Sequence, residues 1–210
     1  MKRLTKATLR TALNLFFFTV IGTTILAYTF NLTHERIAQS EAAAKLKLIN
    51  QVAPTALYDN DLLNDTVTLP ASAQLGTEQE TPAYRGRLKG QPSVVVIEAI
   101  APDGYSGKIS LIVAINYDGV ISGVRVVAHK ETPGLGDYID IAKNKWISLF
   151  GGASHQRYQE DDWKVKKDGG QIDYMAGATI TPRAVAKAVH KALHYFEENR
   201  ARLFAQQADN

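Results

Sequence analysis

The chain has 210 residues, with 24 lysines and arginines against 21 aspartates and glutamates, and it contains no cysteine. Without cysteine it cannot form disulfides, thiolate metal sites or cysteine-ligated iron–sulfur clusters, so a redox role would need a cofactor held by other groups. The net charge of +3 is concentrated near the N-terminus: without the four basic residues that precede the first acid, 20 basic side chains stand against 21 acidic ones, and a nucleic-acid partner is not expected.

The N-terminal segment has the composition of a membrane anchor. Its basic side chains, Lys2, Arg3, Lys6 and Arg10, are followed by 20 uncharged and mostly apolar residues, 11–30. Such a run is long enough to cross a bilayer as a helix. It is too long for the apolar core of a signal peptide, and no good cleavage site follows it. We therefore predict a cytoplasmic basic flank over 1–10, a transmembrane helix over 11–30 and an outward-facing C-terminal domain.

A helical stalk is predicted over 31–54. Ile37, Ala44, Leu48 and Val52 share one face of this helix, and Pro54 would end it. The remaining residues, 55–210, are enough for one domain with a hydrophobic core. Within them, 60–92 is polar and rich in turn residues, which indicates loops and short strands that the pattern does not place.

The rest of the domain shows alternating signals for strands and helices. Three runs rich in valine and isoleucine, 93–100, 108–117 and 120–129, are separated by short turns and predict antiparallel hairpins or a meander. Helical spacing follows over 136–150, and a short strand is predicted at 162–167. A final helix from Pro182 would bury one apolar face, made up of Val185, Val189, Ala192, Phe196 and Leu203. We predict an α+β fold, an antiparallel sheet packed with helices.

The segment DYMAGATITP, Asp173 to Pro182, sets a hydroxyl just before this last helix. Gly177 permits a tight or left-handed turn, and Thr181 followed by Pro182 has the signature of a helix N-cap and first turn. Thr179 therefore precedes a helix N-terminus, where free amide groups and the helix dipole favour a phosphate. Taken alone, the two threonines could equally be capping residues.

Two other glycine-containing segments could take part in a binding site. In ETPGLG, 131–136, Gly134 and Gly136 allow close approach of a flat ligand. Glu131 and Thr132 can supply polar contacts, and Leu135 can cover an apolar face. GYSG, 104–107, offers Tyr105 for aromatic contact. Each segment by itself could also be an ordinary turn.

The three segments, in this order, resemble the FMN-binding family that includes the G subunit of the Rnf (Rsx) electron transport complex and the C subunit of the sodium-translocating NADH:quinone reductase. DYMAGAT resembles the flavinylation motif of that family, with Ala176 standing where many members carry serine or threonine. The resemblance implies FMN joined through its phosphate to Thr179. The residues that it assigns to the cofactor are Tyr105, Glu131, Thr132, Gly134, Leu135, Gly136, Asp173, Gly177, Ala178 and Thr179.

Attachment of the flavin would need a partner enzyme. A threonine hydroxyl is a poor nucleophile at neutral pH without an activating base or metal. The family resemblance implies a magnesium-dependent flavin transferase that takes FMN from FAD and recognises 173–179.

With its N-terminal anchor, the whole chain resembles the branch of this family formed by the Rnf G subunits. The resemblance implies a redox subunit of an ion-translocating complex in the bacterial inner membrane, with the flavin domain in the periplasm. The assembly would exchange electrons between ferredoxin and NAD and include other membrane subunits. Two alternatives stay open: the C subunit of the quinone reductase, and a non-redox anchored module that binds a ligand or partner through its loops.

A histidine pair on the last helix is the remaining candidate for a metal site. His190 and His194 are one turn apart, a spacing that can bind a metal. No third ligand is apparent along the sequence, so a solvated helix face is the expectation.

Overall fold

The computed structural model describes residues 2–205, apart from the side chains of 2–8, 35 and 38. The side chains of Lys2, Arg3 and Lys6, in the predicted cytoplasmic flank, thus lie outside the described part of the molecule, as do Met1 and 206–210. The chain divides into two compact units, Met1–Lys45 and Leu46–Asn210.

The first unit is helical. Its residues lie in helix α1, which spans Lys2–Asn50. The helix continues without a break from the predicted membrane segment into the predicted stalk. Over Leu9–Asn50 the helix is long and apolar enough to cross a membrane. Its large apolar side chains, among them Phe18 and Leu26, are exposed. Exposure of this kind is unfavourable in water and is expected of a surface that faces lipid.

A five-stranded antiparallel sheet in strand order β1-β2-β3-β4-β5 forms the centre of the second unit. The three strands predicted from the valine-rich and isoleucine-rich runs are confirmed. The sequence left the first two unplaced. The strands are β1 Thr66–Leu69, β2 Thr81–Leu88, β3 Gln91–Gly104, β4 Gly107–Asn116 and β5 Ile121–Ala128.

Strand β2 escaped prediction because its residues are atypical of a strand. It contains Pro82 and Gly86, and it buries Arg85. The Arg85 guanidinium pairs with Asp65, Nε to Oδ1 at 2.6 Å, and donates to the carbonyl of Ala205 at 2.5 Å. A buried charge is tolerated when it is paired and hydrogen-bonded in this way.

Both faces of the central strands are covered, which explains why their sequences read as continuous apolar runs. In β3, Val95 and Ile97 belong to the main core beneath helix α2, Ile180–Phe204. Val94 and Val96 point to the opposite face, because successive side chains of a strand alternate. There they pack with Ile49, in the last turn of α1, and with the following Val52 and Ala53.

Helix α2 buries the predicted apolar face against the sheet. All five residues of that face are buried, namely Val185, Val189, Ala192, Phe196 and Leu203. The α+β fold is therefore confirmed. The helix begins two residues before the predicted Pro182, so that Thr179 occupies the N-cap position and Thr181 lies inside the first turn.

Two local predictions are wrong. The segment 136–150 is not one helix but two short 3₁₀ helices, Asp137–Ile139 and Lys145–Phe150. Between them the side chain of Asp140 accepts from the amide of Ala142, and the side chain of Asn144 accepts from that of Trp146, both at 2.9 Å. These local bonds give the backbone an alternative to a continuous helix.

The predicted strand at 162–167 is also wrong. The segment is part of two 3₁₀ turns, Glu160–Trp163 and Lys166–Asp168. Gln159 and Asp162 form a capping box at the first turn. Only Val165 makes a bridge of strand type, to Ile172.

Candidate functional site

The three singled-out segments meet at one end of the sheet. Strand β3 ends and β4 begins at the paired Gly104 and Gly107, and β5 ends at Ala128 beside β4. The start of α2 lies at the same end, and a cleft of about 300 Å³ opens between these elements. The cleft is lined by Tyr105, Glu131, Thr132, Leu135, Gly136, Gly177, Ala178, Thr179, Ile180 and Thr181. Eight of the ten predicted site residues are among them.

Thr179 stands where the turn passes into helix α2. Gly177 adopts a left-handed φ of +88°, and the amide of Ala178 donates to the carbonyl of Met175 at 3.1 Å. Thr179 is half-buried and makes no side-chain capping bond to the helix. The first amides of a helix have no partner within it, so an unengaged hydroxyl and free N–H groups lie together beside the cleft.

Glu131 connects all three segments from a buried position. It is 4% exposed. One carboxylate oxygen accepts from the Ser106 amide at 2.9 Å, and the other accepts a short hydrogen bond from the Thr181 hydroxyl. The predicted role of Glu131 was a direct polar contact with the ligand. Both of its oxygens instead bind protein groups, which makes Glu131 the link between the two loops and the start of α2.

Gly136 is required by this arrangement because its neighbours approach very closely. A Cβ atom at this position would lie 2.9 Å from Oε2 of Glu131 and 3.0 Å from Oγ1 of Thr181. Both distances are shorter than ordinary van der Waals contact. A side chain here would therefore displace the hydrogen bond between Glu131 and Thr181.

Two aromatic residues hold the segment that leads into Thr179. The indole Nε1 of Trp146 donates to the carbonyl of Asp173 at 2.7 Å. The Tyr138 hydroxyl accepts from the amide of Met175 at 3.3 Å, and its ring packs edge-on against Trp146. The sequence patterns did not point to either contact, since both aromatic residues lie in the segment 136–150 that was predicted as a helix.

We expect Trp146→Phe to weaken this support. Trp163→Phe is a matched control, because Trp163 is also buried and its Nε1 has no hydrogen-bond partner among the described residues. The Trp146 variant should lose about 1 kcal/mol more stability than the control, since only it loses a hydrogen bond. Urea unfolding of both variants would measure this difference, and equal losses would contradict the supporting role.

Asp173 and Gly134, the other two predicted residues, do not line the cleft. The Asp173 carboxylate forms an exposed ion pair with Lys166. Gly134 lies in the turn before Asp137, and its amide donates to Oδ1 of that residue at 2.8 Å. Conversely, the cleft includes Ile180 and the predicted N-cap Thr181, neither of which the sequence assigned to the site.

Exposed apolar side chains surround the cleft. Tyr105 is 68% exposed, Leu135 51% and Ile180 44%. Tyr174 and Met175, which precede Thr179, are also exposed. A concave site with an apolar rim and a few convergent polar groups is typical of a binding site for a small molecule.

Comparison with known proteins agrees with this geometry. Residues 104–194 match the model of an FMN-binding domain, and residues 1–52 match that of the RnfG N-terminal region. The chain is 48% identical over 200 residues to the G subunit of the ion-translocating oxidoreductase complex of Pseudomonas aeruginosa strain UCBPP-PA14, and the match covers 95% of this chain and 94% of that protein. The chain belongs to this family of G subunits. The Vibrio atlanticus member is 48% identical over 90% of both chains, and the Aliivibrio fischeri strain MJ11 member is 41% identical over 92% of both.

The matched FMN-binding region of this G-subunit family member begins at Gly104, where β3 ends, and extends into α2. It therefore contains all three segments that form the cleft. The match to the RnfG N-terminal region covers all of α1 and ends at Val52. The two family matches thus correspond to the apolar helix and to the part of the domain that carries the candidate site.

Proposed function

We propose that this G-subunit family member is a membrane-anchored electron-transfer protein with FMN bound covalently, through a phosphoester, to the Thr179 hydroxyl. The observation that carries the proposal is the position of this hydroxyl. It lies at the N-terminus of α2, beside a cleft formed by the other two segments. A ligand phosphate bound at this point would interact with the free amides and the positive end of the helix dipole.

The residues of the cleft fit a flavin in size and character. Tyr105 and Leu135 offer aromatic and aliphatic surface for a planar ring, and Thr132 adds a polar group to the lining. Gly177 and Ala178, without bulky side chains, let the backbone lie close to the phosphate end. Glu131 fixes the relative positions of the walls through Ser106 and Thr181.

FMN, when bound, supplies reversible transfer of one or two electrons. The role of this chain's residues would be to hold the cofactor, set its orientation and shelter one side of it. Among the described residues of the cleft, the one hydroxyl that contacts a carboxylate, that of Thr181, is buried in its bond to Glu131, and the cleft is open at its rim. The arrangement therefore favours electron relay between partner proteins over conversion of a metabolite.

The attachment reaction would be performed by a separate flavin transferase. Within the described residues, no histidine or lysine lines the cleft beside Thr179 to act as a general base, and the Glu131 carboxylate, which does line it, already accepts hydrogen bonds from Ser106 and Thr181. The Asp173 carboxylate is exposed outside the cleft and pairs with Lys166. It is thus accessible to an enzyme that recognises the segment 173–179, in keeping with the family resemblance.

The apolar helix α1 would anchor the protein in the bacterial inner membrane. The basic N-terminal flank favours a cytoplasmic N-terminus, with the flavin domain in the periplasm. Its partners would be the other membrane subunits of an Rnf-type complex. The relatives are named as parts of an ion-translocating oxidoreductase complex. By extension, electron transfer between ferredoxin and NAD in the assembly of this chain would be coupled to ion translocation.

Mass spectrometry of the full chain provides the test. The chain would be purified in detergent after expression with and without a flavin transferase. With the enzyme, the intact mass should rise by one FMN less one water, and peptide mapping should locate the adduct on Thr179. An unmodified mass after co-expression with an enzyme that flavinylates a known substrate would refute the proposal.

A further inference from the structure

A cluster of three histidines lies on the domain away from the flavin cleft. His155, His190 and His194, called here the histidine cluster, each place one ring nitrogen within 4.8 Å of the other two. The sequence predicted a solvated pair on α2. That expectation is wrong, because His155 joins the pair from the loop after the second 3₁₀ helix and His190 is only 9% exposed.

The orientation of the rings leaves nitrogen atoms without hydrogen-bond partners. The Nδ1 atom of His155 lies 2.7 Å from Oε2 of Glu197, which assigns the ring proton to Nδ1. Its Nε2 atom and that of His190 are both buried and lack a hydrogen bond within the described structure. A buried polar atom without a partner costs about 1–3 kcal/mol, so the cluster is unfavourable unless something else satisfies these atoms.

Neighbouring side chains fix the orientation of the His190 and His155 rings, as the groups around a metal site do for its ligands. The Trp163 indole stacks on His190, with centroids 4.8 Å apart and planes at 10°. The pairing of His155 with Glu197 matches the carboxylate–histidine arrangement that orients metal ligands.

A carboxylate lies beside two of the three histidines. Oε2 of Glu160 lies 3.5 Å from Nε2 of His190 and 3.6 Å from Nε2 of His194. Two ligands of a tetrahedral zinc ion, each at about 2.0–2.1 Å, are separated by roughly 3.4 Å. The His194 and Glu160 side chains are 42% and 77% exposed, so neither is fixed by the core.

We propose that the histidine cluster binds a divalent transition-metal ion of the Zn²⁺ type, with Glu160 as the fourth ligand. Three imidazoles and one carboxylate suit zinc and other imidazole-preferring metals. His190 lies 11 residues beyond Thr179 along α2, a rise of roughly 16 Å. The site is therefore separate from the candidate flavin cleft, and it joins the loop at His155 and the 3₁₀ turn that begins at Glu160 to the last helix.

Zinc titration of the full chain tests the proposal. The protein, carrying an affinity tag without histidine, would be purified in detergent, stripped with a chelator and titrated with Zn²⁺ by calorimetry. We expect one equivalent to bind and to raise the unfolding temperature. His194→Ala should weaken binding by more than roughly 10-fold, since loss of even an outer-shell partner costs 10–100-fold.

His34→Ala is the matched control, because it removes an exposed histidine of helix α1, outside the cluster. It should bind Zn²⁺ as the wild type does. If His194→Ala does not fold, His194→Gln, which keeps the side-chain volume better, provides the same comparison. Binding of less than half an equivalent, or equal affinity in the wild type and the His194 variant, would overturn the proposal. A Thr179→Val protein should keep the metal, which separates this result from the fate of the flavin.

Discussion

Thr179→Val is expected to yield a folded protein that carries no covalent flavin. Valine has nearly the shape of threonine but no hydroxyl, so the phosphoester has no acceptor. The wild-type hydroxyl makes no capping bond to α2, so the stability should change by about 0.5 kcal/mol or less. Flavin fluorescence in denaturing gels, after co-expression with the transferase, measures the covalent cofactor directly.

Thr181→Val is the matched control for this variant. It removes a threonine hydroxyl two residues away, but this hydroxyl is buried and donates to Glu131. We expect covalent flavin to decrease without being lost, because Glu131 keeps its bond to Ser106, and the stability to fall by about 1.5–3 kcal/mol, the value of a hydrogen bond to a charged group. The two variants should therefore separate attachment from stability. Fluorescence that persists in Thr179→Val would assign the flavin to another residue.

Glu131→Ala is expected to have the largest effect on the architecture of the cleft. It leaves the Ser106 amide and the Thr181 hydroxyl without their acceptor at a buried position. Two hydrogen bonds to a carboxylate are lost, so the stability should fall by on the order of 3 kcal/mol. Covalent flavin should also decrease, because the loops beside Thr179 lose their connection to α2. Chemical unfolding and flavin-to-protein absorbance ratios measure the two effects.

Two further variants show whether the effect of Glu131→Ala comes from its lost hydrogen bonds or from its lost charge. Glu131→Gln keeps one acceptor oxygen and adds an amide donor, so its loss of stability should be only about 1 kcal/mol. Glu78→Ala removes an acid with the same charge from an exposed ion pair with Lys108, and the stability should hardly change. If Glu131→Ala behaved like Glu78→Ala, Glu131 would not link the segments.

Local sequence patterns were sufficient to predict the strands and helices that depend on residues close together in the chain. Strands β3 to β5 were predicted because both of their faces are buried, which gives continuous runs of branched apolar residues. Helix α2 was predicted from the spacing of its apolar face. Strand β2 was not predicted, because it buries Arg85 against Asp65, and a pairing between residues 20 positions apart does not show in a local window of sequence.

The same distinction applies to the candidate site. Eight of its ten predicted residues line one cleft, because the motifs already contained the residues that close approach and binding require. The role of Glu131 was different from the prediction, since its partner Thr181 lies 50 residues away. The segment 136–150 was mistaken for one helix because the side chains of Asp140 and Asn144 compete for the backbone amides.

The sequence by itself determined the apolar N-terminal helix, the central strands, the last helix and the threonine that we propose as the flavin acceptor. These depend on composition and on periodicities of a few residues, which act within one segment. Only the tertiary structure decided that Glu131 links the segments, that Trp146 holds the approach to Thr179, and that His155 joins His190 and His194. These contacts unite residues 27 to 50 positions apart, so they exist only once the sheet has brought the segments together.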